Sequence, residues 1–150
     1  MHCADPIGLV LDTNVVLDWL VFDDPCTRTI ADAIRSGRAR WWVCPSVMAE
    51  MDAVLARQLP DRWEPARKHA LTAPWRPLVA ACADPPSPAQ PDLRCRDRDD
   101  QKFVDLAMAQ SARVLLSRDR ALLALARPAA RAGLEILTPQ RFTSAPPADP

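Results

Sequence analysis

The chain has 150 residues, the size of one ordinary domain, and its 19 acidic and 19 basic residues give a formal net charge of zero. Any affinity for nucleic acid would therefore need a local basic patch. No apolar run reaches the roughly 18 residues of a membrane helix, and the N-terminus lacks the order of a secretory signal, which predicts a cytoplasmic protein with no membrane span.

The first predicted element is a buried strand. Residues 7–11, IGLVL, form an unbroken apolar run of the kind found in a parallel sheet covered on both faces, and Asp12 follows immediately. Thr13 or Asn14 can cap the helix that comes next. The pattern then predicts these elements in order: helix 13–22, helix 27–37 ending at Gly37, strand 39–44 and a helix from residue 45.

Glu50 is unusual within the last of these helices. It lies three residues after Val47 and four before Val54, so the helical period places it on the apolar stripe that faces the sheet. An unpaired glutamate is costly to bury there. A functional role would explain the position, and so would an arginine partner or a side chain that bends out to solvent.

Regular structure is predicted to weaken in the middle of the chain. Eight of the sixteen prolines lie between Pro60 and Pro91, which predicts a short helix near 61–72 and then an irregular loop. The last third predicts these elements: helix 97–112, strand 114–117, a helix over 118–133 interrupted by Pro128, and strand 134–138. Residues 143–150, TSAPPADP, are predicted to be a disordered tail.

Strands that alternate with helices predict an α/β protein with a central, mainly parallel sheet. Functional residues of such sheets collect where the strands end. Asp12 and Asp119 follow predicted strands, Asp100 begins a helix and Glu50 faces the sheet, so these four carboxylates are expected to converge. Divalent cations remove the resulting repulsion by binding the oxygens.

The sequence lacks the residues that nucleotide-binding loops and zinc sites require. Three glycines cannot form a Walker A loop or a dinucleotide-binding turn, and the histidines, His2 and His69, have no partner at zinc-ligand spacing. The five cysteines form no C-x-x-C pair, which argues against a disulfide framework or a zinc knuckle. Aspartates near helix starts also act as caps. That explanation applies to Asp97, Asp99, Asp100 and Asp119, and less readily to Asp12.

Five stretches carry a family resemblance: LVLDTNVVLDWL, SVMAE, DRDDQKFVDLA, VLLSRDRALLAL and ILTPQRF. In this order they resemble the motifs of PIN-domain nucleases, particularly the bacterial group identified as toxins of toxin-antitoxin systems. The resemblance covers most of the chain except about residues 58–94. It implies a three-layer α/β/α sandwich formed by a single domain, residues 1–142, with 58–96 as a proline-rich irregular insertion.

The resemblance also implies a ribonuclease that uses Mg²⁺ or Mn²⁺, because these cations prefer hard oxygen ligands and promote phosphodiester hydrolysis. The implied metal ligands and catalytic residues are Asp12, Glu50, Asp100 and Asp119, with Asp97 and Asp99 as alternatives to Asp100. Asn14 and Ser117 are candidates for support behind the ligands, and each can instead cap a helix. If the chain is a toxin, an antitoxin partner and a homodimer are expected.

Basic residues beside the acids are candidates for phosphate contacts, although such charges are often only a solvated surface. They are Arg94, Arg96, Arg98, Lys102, Arg118 and Arg120. The family often has Thr-Gly-Asp at Ser117-Arg118-Asp119, so Arg118 either crowds the site or contacts a phosphate. Trp63 and Trp75 either stack on unpaired bases or serve as packing anchors.

Two other classes remain as alternatives. A haloacid-dehalogenase-type phosphatase needs a second aspartate two residues after the strand-end aspartate, and Asn14 occupies that position. A PIN-like module that has lost catalysis would bind RNA or protein without cleavage. The acidic set argues against that loss.

Overall fold

The structure, a computed structural model, describes residues 5–142. Five strands form one sheet in the order β3-β2-β1-β4-β5, and all neighbouring pairs are parallel. They are β1 (Ile7–Leu11), β2 (Ala39–Val43), β3 (Val79–Ala81), β4 (Val114–Leu116) and β5 (Glu135–Leu137). The predicted α/β fold with a parallel sheet is confirmed.

Seven α-helices join these strands within the described residues. They are α1 (Thr13–Leu20), α2 (Arg28–Arg35), α3 (Pro45–Leu55), α4 (Glu64–Leu71), α5 (Gln101–Ala109), α6 (Arg120–Leu123) and α7 (Ala126–Arg131). Gly37 lies just after the end of α2, as predicted. Its φ of +82° is a left-handed conformation that glycine adopts without strain and that ends a helix. None of these helices is both long and apolar enough to cross a bilayer.

The apolar core is divided in two by the sheet. Leu9 and Leu11 of β1 belong to one half and Val10 to the other, and each is at most 1% exposed. Helices α1, α2 and α4 cover the first face, α5, α6 and α7 cover the second, and α3 contributes to both. A strand covered on both faces has apolar residues throughout, which explains the unbroken run IGLVL.

The tryptophans of the middle segment are packing anchors. Trp75 is 2% exposed, lies 5.9 Å from the ring of Trp41, and donates its indole N–H to the carbonyl of Ala70 at 3.0 Å. Trp63 packs edge-on against Phe22 at 5.0 Å between ring centroids. The alternative of base stacking is wrong for Trp75, because its ring is not accessible to a base.

The proline-rich segment is more regular than the sequence predicts. It contains α4, and it also contains β3, which extends the sheet by pairing with β2. The prediction of an irregular loop after residue 72 is wrong here, because a three-residue edge strand gives too short a pattern to detect. The rest of the segment is held to α5: Asp105, 2% exposed, accepts from the backbone N–H of Ala89 at 2.9 Å.

Pro128 does not interrupt a helix. The chain forms two short helices, and the break falls at residues 124–125 instead. Pro128 lies in the first turn of α7, where the backbone N–H that proline lacks would have no partner inside the helix. The predicted disorder of residues 143–150 lies outside the described residues.

Candidate active site

The candidate site lies at the switch point of the sheet, where successive strands stop being added on one side of β1 and continue on the other. From β1 the chain crosses to β2 on one side, whereas β4 and β5 lie on the other. Asp12 follows β1 and Ser117 follows β4, and the backbone N–H of Asp12 donates to the carbonyl of Leu116 at 3.0 Å. Crevices at such switch points are the usual ligand sites of parallel sheets.

Asp12 is both a helix cap and a buried carboxylate. It is 4% exposed, and one oxygen accepts from the backbone N–H of Asn14 at 3.3 Å. The prediction that Thr13 or Asn14 caps α1 is therefore wrong: Thr13 is already helical, and Asn14 is exposed. A cap can lie at the surface, so capping does not explain why Asp12 is buried.

Ser117 connects the two strand ends. It is completely buried, donates its hydroxyl to the second oxygen of Asp12 at 2.6 Å, and accepts from the backbone N–H of Asp119 at 2.9 Å. Asp119 in turn caps α6 by accepting from the N–H of Ala121 at 2.7 Å. One hydroxyl thus fixes the positions of two of the predicted acidic residues.

Glu50 faces α1 and α5 and is partly buried. The hydroxyl of Thr13 donates to one of its oxygens, and the ammonium of Lys102 lies 2.8 Å from the other. The cation that compensates Glu50 is therefore a lysine on α5. The sequence predicts Thr13 only as a helix cap, and the structure shows that it contacts Glu50. Its position directly after a strand-end aspartate is the signal that could have identified it as a site residue.

Asp100 is the acid whose interactions are incomplete. It ends the 3₁₀ turn Arg98–Asp100, immediately before α5. Its Oδ2 atom is buried and has no hydrogen-bond partner among the described residues. Burial first, and then the charges of Asp119 and Asp12, raise the pKa of Asp100 to about 7.

Asp97 and Asp99 are placed differently. Both are exposed, and the carboxylate of Asp97 accepts from the backbone N–H of Asp99 at 2.9 Å, which caps the 3₁₀ turn. Of the three alternatives, Asp100 is the one whose carboxylate is buried beside the other acids.

The pKa of Asp12 is raised, in part by the charges of other acids of the site. Burial raises this pKa most, the hydrogen bonds from Ser117 and Asn14 oppose the rise, and the charges of Glu50 and Asp119 add to it. A raised carboxyl pKa means that the folded protein favours a proton, or another positive charge, at that group.

The residues present fit a divalent cation chemically but do not form a finished cage. No three His, Cys, Asp or Glu side chains of residues 5–142 are arranged to hold a metal ion as they stand. The chain's own donors contact both oxygens of Glu50 and one of Asp119. The Asp100 oxygen that has no partner among residues 5–142 and the raised pKa values of Asp12 and Asp100 favour a cation at this site.

Comparison with known proteins identifies the family. The model of the PIN domain family matches residues 8–121, a span that contains all four acids. The chain belongs to the PIN domain family. No curated protein sequence matches this PIN domain significantly.

Solved structures share its fold at low sequence identity. A chain of the crystal structure of FitAcB from Neisseria gonorrhoeae is 17% identical, with a TM-score of 0.58 over 89% of this chain and 99% of that chain. A chain of FitAB bound to an IR36 DNA fragment is 16% identical, with a TM-score of 0.57 over 89% and 96%. A chain of VapBC2 from Rickettsia felis, bound to a promoter DNA fragment, is 9% identical, with a TM-score of 0.56 over 87% and 97%.

The basic residues of the PIN domain separate into two groups. Arg118 pairs with Asp18 and Asp24, so its guanidinium is not an unpaired charge. Lys102 contacts Glu50 directly. The remaining candidates are exposed: Arg94, Arg96, Arg98 and Arg120. Arg94 and Arg98 line one shallow groove beside α5.

Proposed function

We propose that this PIN domain is a Mg²⁺- or Mn²⁺-dependent endoribonuclease, the toxin of a bacterial toxin-antitoxin pair. The observation that carries the proposal is the buried Asp100 oxygen without a partner, on a carboxyl whose pKa is raised to about 7 by burial and by the other acids. Such a group is suited to a cation. RNA as the substrate is supported by the family resemblance of the sequence motifs.

In the proposed site, Asp12, Glu50, Asp100 and Asp119 hold the cation directly or through water. When bound, the cation would orient the scissile phosphate, promote ionisation of a water molecule and stabilise the leaving oxygen. The protein's own part is positional. Ser117 fixes Asp12 through a 2.6 Å hydrogen bond and Asp119 through its backbone N–H at 2.9 Å, which keeps both carboxylates at the strand ends.

The partner proposals have separate support. The FitAB and VapBC2 structures are complexes, which supports an antitoxin partner for this chain. A homodimer follows from the family resemblance. Light scattering on the purified protein should give about twice the 16.6 kDa chain mass, and a value equal to one chain would contradict the dimer.

The decisive experiment is cleavage of labelled single-stranded RNA in EDTA, Mg²⁺ and Mn²⁺ by the wild type, Asp12→Asn and Asp97→Asn. Wild type should cleave only with metal. Asp12→Asn should lose at least about a hundredfold in rate, because the amide keeps the shape and the hydrogen bond from Ser117 but removes the charge. Asp97→Asn, the matched control at an exposed acid, should stay within a few-fold of wild type.

Other results would redirect the proposal. Equal cleavage in EDTA, or unchanged cleavage by folded Asp12→Asn, would contradict metal-dependent catalysis at this site. Equal cleavage of single-stranded DNA of the same sequence would contradict RNA specificity. No cleavage by any sample, together with no calorimetric binding of Mn²⁺, would favour the inactive binding module.

A further inference from the structure

Lys102 lies at the edge of the acidic site and is held by two acceptors. Its ammonium is 2.8 Å from an oxygen of Glu50 and 2.6 Å from the backbone carbonyl of Asp99. An ammonium has three donors, so one N–H remains for a further acceptor. The side chain as a whole is 22% exposed, so part of it is accessible from solvent.

Lys102 and Thr13 together give both carboxylate oxygens of Glu50 a partner from the protein. Thr13 donates to one oxygen of Glu50 and Lys102 pairs with the other. Glu50 therefore has partners for both oxygens before any divalent cation arrives, in contrast to Asp100. The ammonium of Lys102 would repel a divalent cation that binds the same oxygen of Glu50, which favours displacement of Lys102.

Lys102 is the donor that can leave. The Glu50 side chain is 28% exposed, and ion pairs that water reaches are weak. An ammonium on a four-carbon stem can swing to a new acceptor, whereas a planar guanidinium bound in two places is harder to move. The guanidinium of Arg118 is already paired with Asp18 and Asp24.

We propose that Lys102 is a displaceable counter-ion of the acidic site. It neutralises Glu50 while no divalent cation is bound, and it transfers to a non-bridging oxygen of the substrate phosphate once a cation occupies Glu50. This inference rests on the proposed metal-dependent nuclease function. It makes cation binding a condition for the contact between Lys102 and the substrate.

Lys102→Met is the test variant, because methionine keeps an unbranched apolar stem without the charge. Lys102→Arg keeps the charge. Lys68→Met is the matched control, since Lys68 is the chain's other lysine and lies exposed on α4. Circular dichroism melting would establish that all three variants fold.

Two measurements on Lys102→Met test the proposal: the affinity for Mn²⁺ should rise, and the apparent affinity for RNA should fall. Calorimetric titration with Mn²⁺ should show about five- to tenfold tighter binding by Lys102→Met than by wild type, because neither an ion pair nor a repelling charge opposes the cation. At saturating Mn²⁺, the KM of Lys102→Met for single-stranded RNA should rise about tenfold, because a phosphate contact is lost. Lys68→Met should change neither value, and Lys102→Arg, which keeps the opposing charge, should bind Mn²⁺ no more tightly than wild type.

Mn²⁺ binding by the wild type distinguishes failure of the Lys102 inference from failure of the nuclease proposal. If wild type binds Mn²⁺ and Lys102→Met binds it equally or more weakly, Lys102 is a structural residue and this inference is overturned, while the nuclease proposal stands. An unchanged KM would likewise overturn the transfer to phosphate. If neither wild type nor Lys102→Met binds Mn²⁺, both the inference and the proposed metal site are overturned.

Discussion

The two halves of the acidic site are built in different ways. In the strand half, Asp12 and Asp119 accept hydrogen bonds from nearby backbone N–H groups, and the buried hydroxyl of Ser117 joins them. In the helix half, the side chains of Thr13 and Lys102 are the partners of Glu50, and one oxygen of Asp100 has no partner within the described chain.

This difference has a mechanical consequence. Backbone donors next to a strand end cannot move without unfolding the strand or the helix, so the strand half is preorganised. Side chains on α3 and α5 can change rotamer, so the helix half can adapt. We expect cation binding to rearrange the helix half and to leave the strand half in place.

The largest effect should come from removing the acid with the unpartnered oxygen. Asp100→Asn should lower RNA cleavage at least about a hundredfold, whereas Asp99→Asn should change it by less than about fivefold, because Asp99 is exposed. Rates with Mn²⁺ under single-turnover conditions would measure both. Comparable losses in the two variants would show that the helix half extends to Asp99.

Ser117→Ala tests whether the strand half is preorganised. It leaves the Asp119 N–H and one Asp12 oxygen without their buried partner, which should cost about 1–3 kcal/mol of unfolding free energy and lower cleavage roughly tenfold. Urea unfolding and the cleavage rate would show both effects. Ser117→Thr keeps the hydroxyl and should recover most of the activity. Full activity in Ser117→Ala would show that the carboxylates hold their positions without this hydroxyl.

The helix half should also make stability depend on pH. Asp100 has a pKa raised from 3.8 to about 7, so the folded protein binds that proton more tightly than the unfolded chain does. Its contribution is fully present below about pH 4, declines as the pH rises and is lost above pH 7. The folded carboxyl pKa of Asp12 is raised too, which acts in the same direction.

Thermal unfolding in EDTA measures this contribution. Between pH 5 and pH 8, Asp100→Asn should gain about 1–2 kcal/mol relative to wild type after allowance for solvent screening. Mn²⁺ should restore wild-type stability at pH 8 but should have less effect on Asp100→Asn. A constant difference between the two proteins across this pH range would contradict the raised pKa.

Arg118→Ala should have the smallest effect. Its guanidinium pairs with Asp18 and Asp24, neither of which is one of the four acids, and its side chain is 34% exposed. Such pairs contribute less than about 1 kcal/mol, so stability should fall slightly and cleavage should stay within about threefold. A loss comparable to that of Ser117→Ala would mean that Arg118 contacts the substrate after all.

Much of the architecture could be predicted from short patterns. The unbroken run IGLVL predicted a strand covered on both faces, and its central place in the sheet confirms this. The ends of β1 and β4 placed Asp12 and Asp119 at one edge. The three residues of β3 were missed, because an edge strand that short depends on pairing with β2 more than on its own composition.

The sequence by itself determined the order of the strands and helices apart from β3 and the division between α6 and α7, and it identified the four acids, since period and residue type act locally. Tertiary structure decided among residues that local rules treat alike. Asp97, Asp99 and Asp100 are equivalent as helix-start aspartates, yet Asp100 is the one with a buried oxygen that no group of residues 5–142 partners. Lys102 and Arg118 are both basic neighbours of the acids, yet only long-range packing shows that Lys102 meets Glu50 while Arg118 pairs with Asp18 and Asp24. Burial and pairing across distant segments set these partners, and no local pattern encodes them.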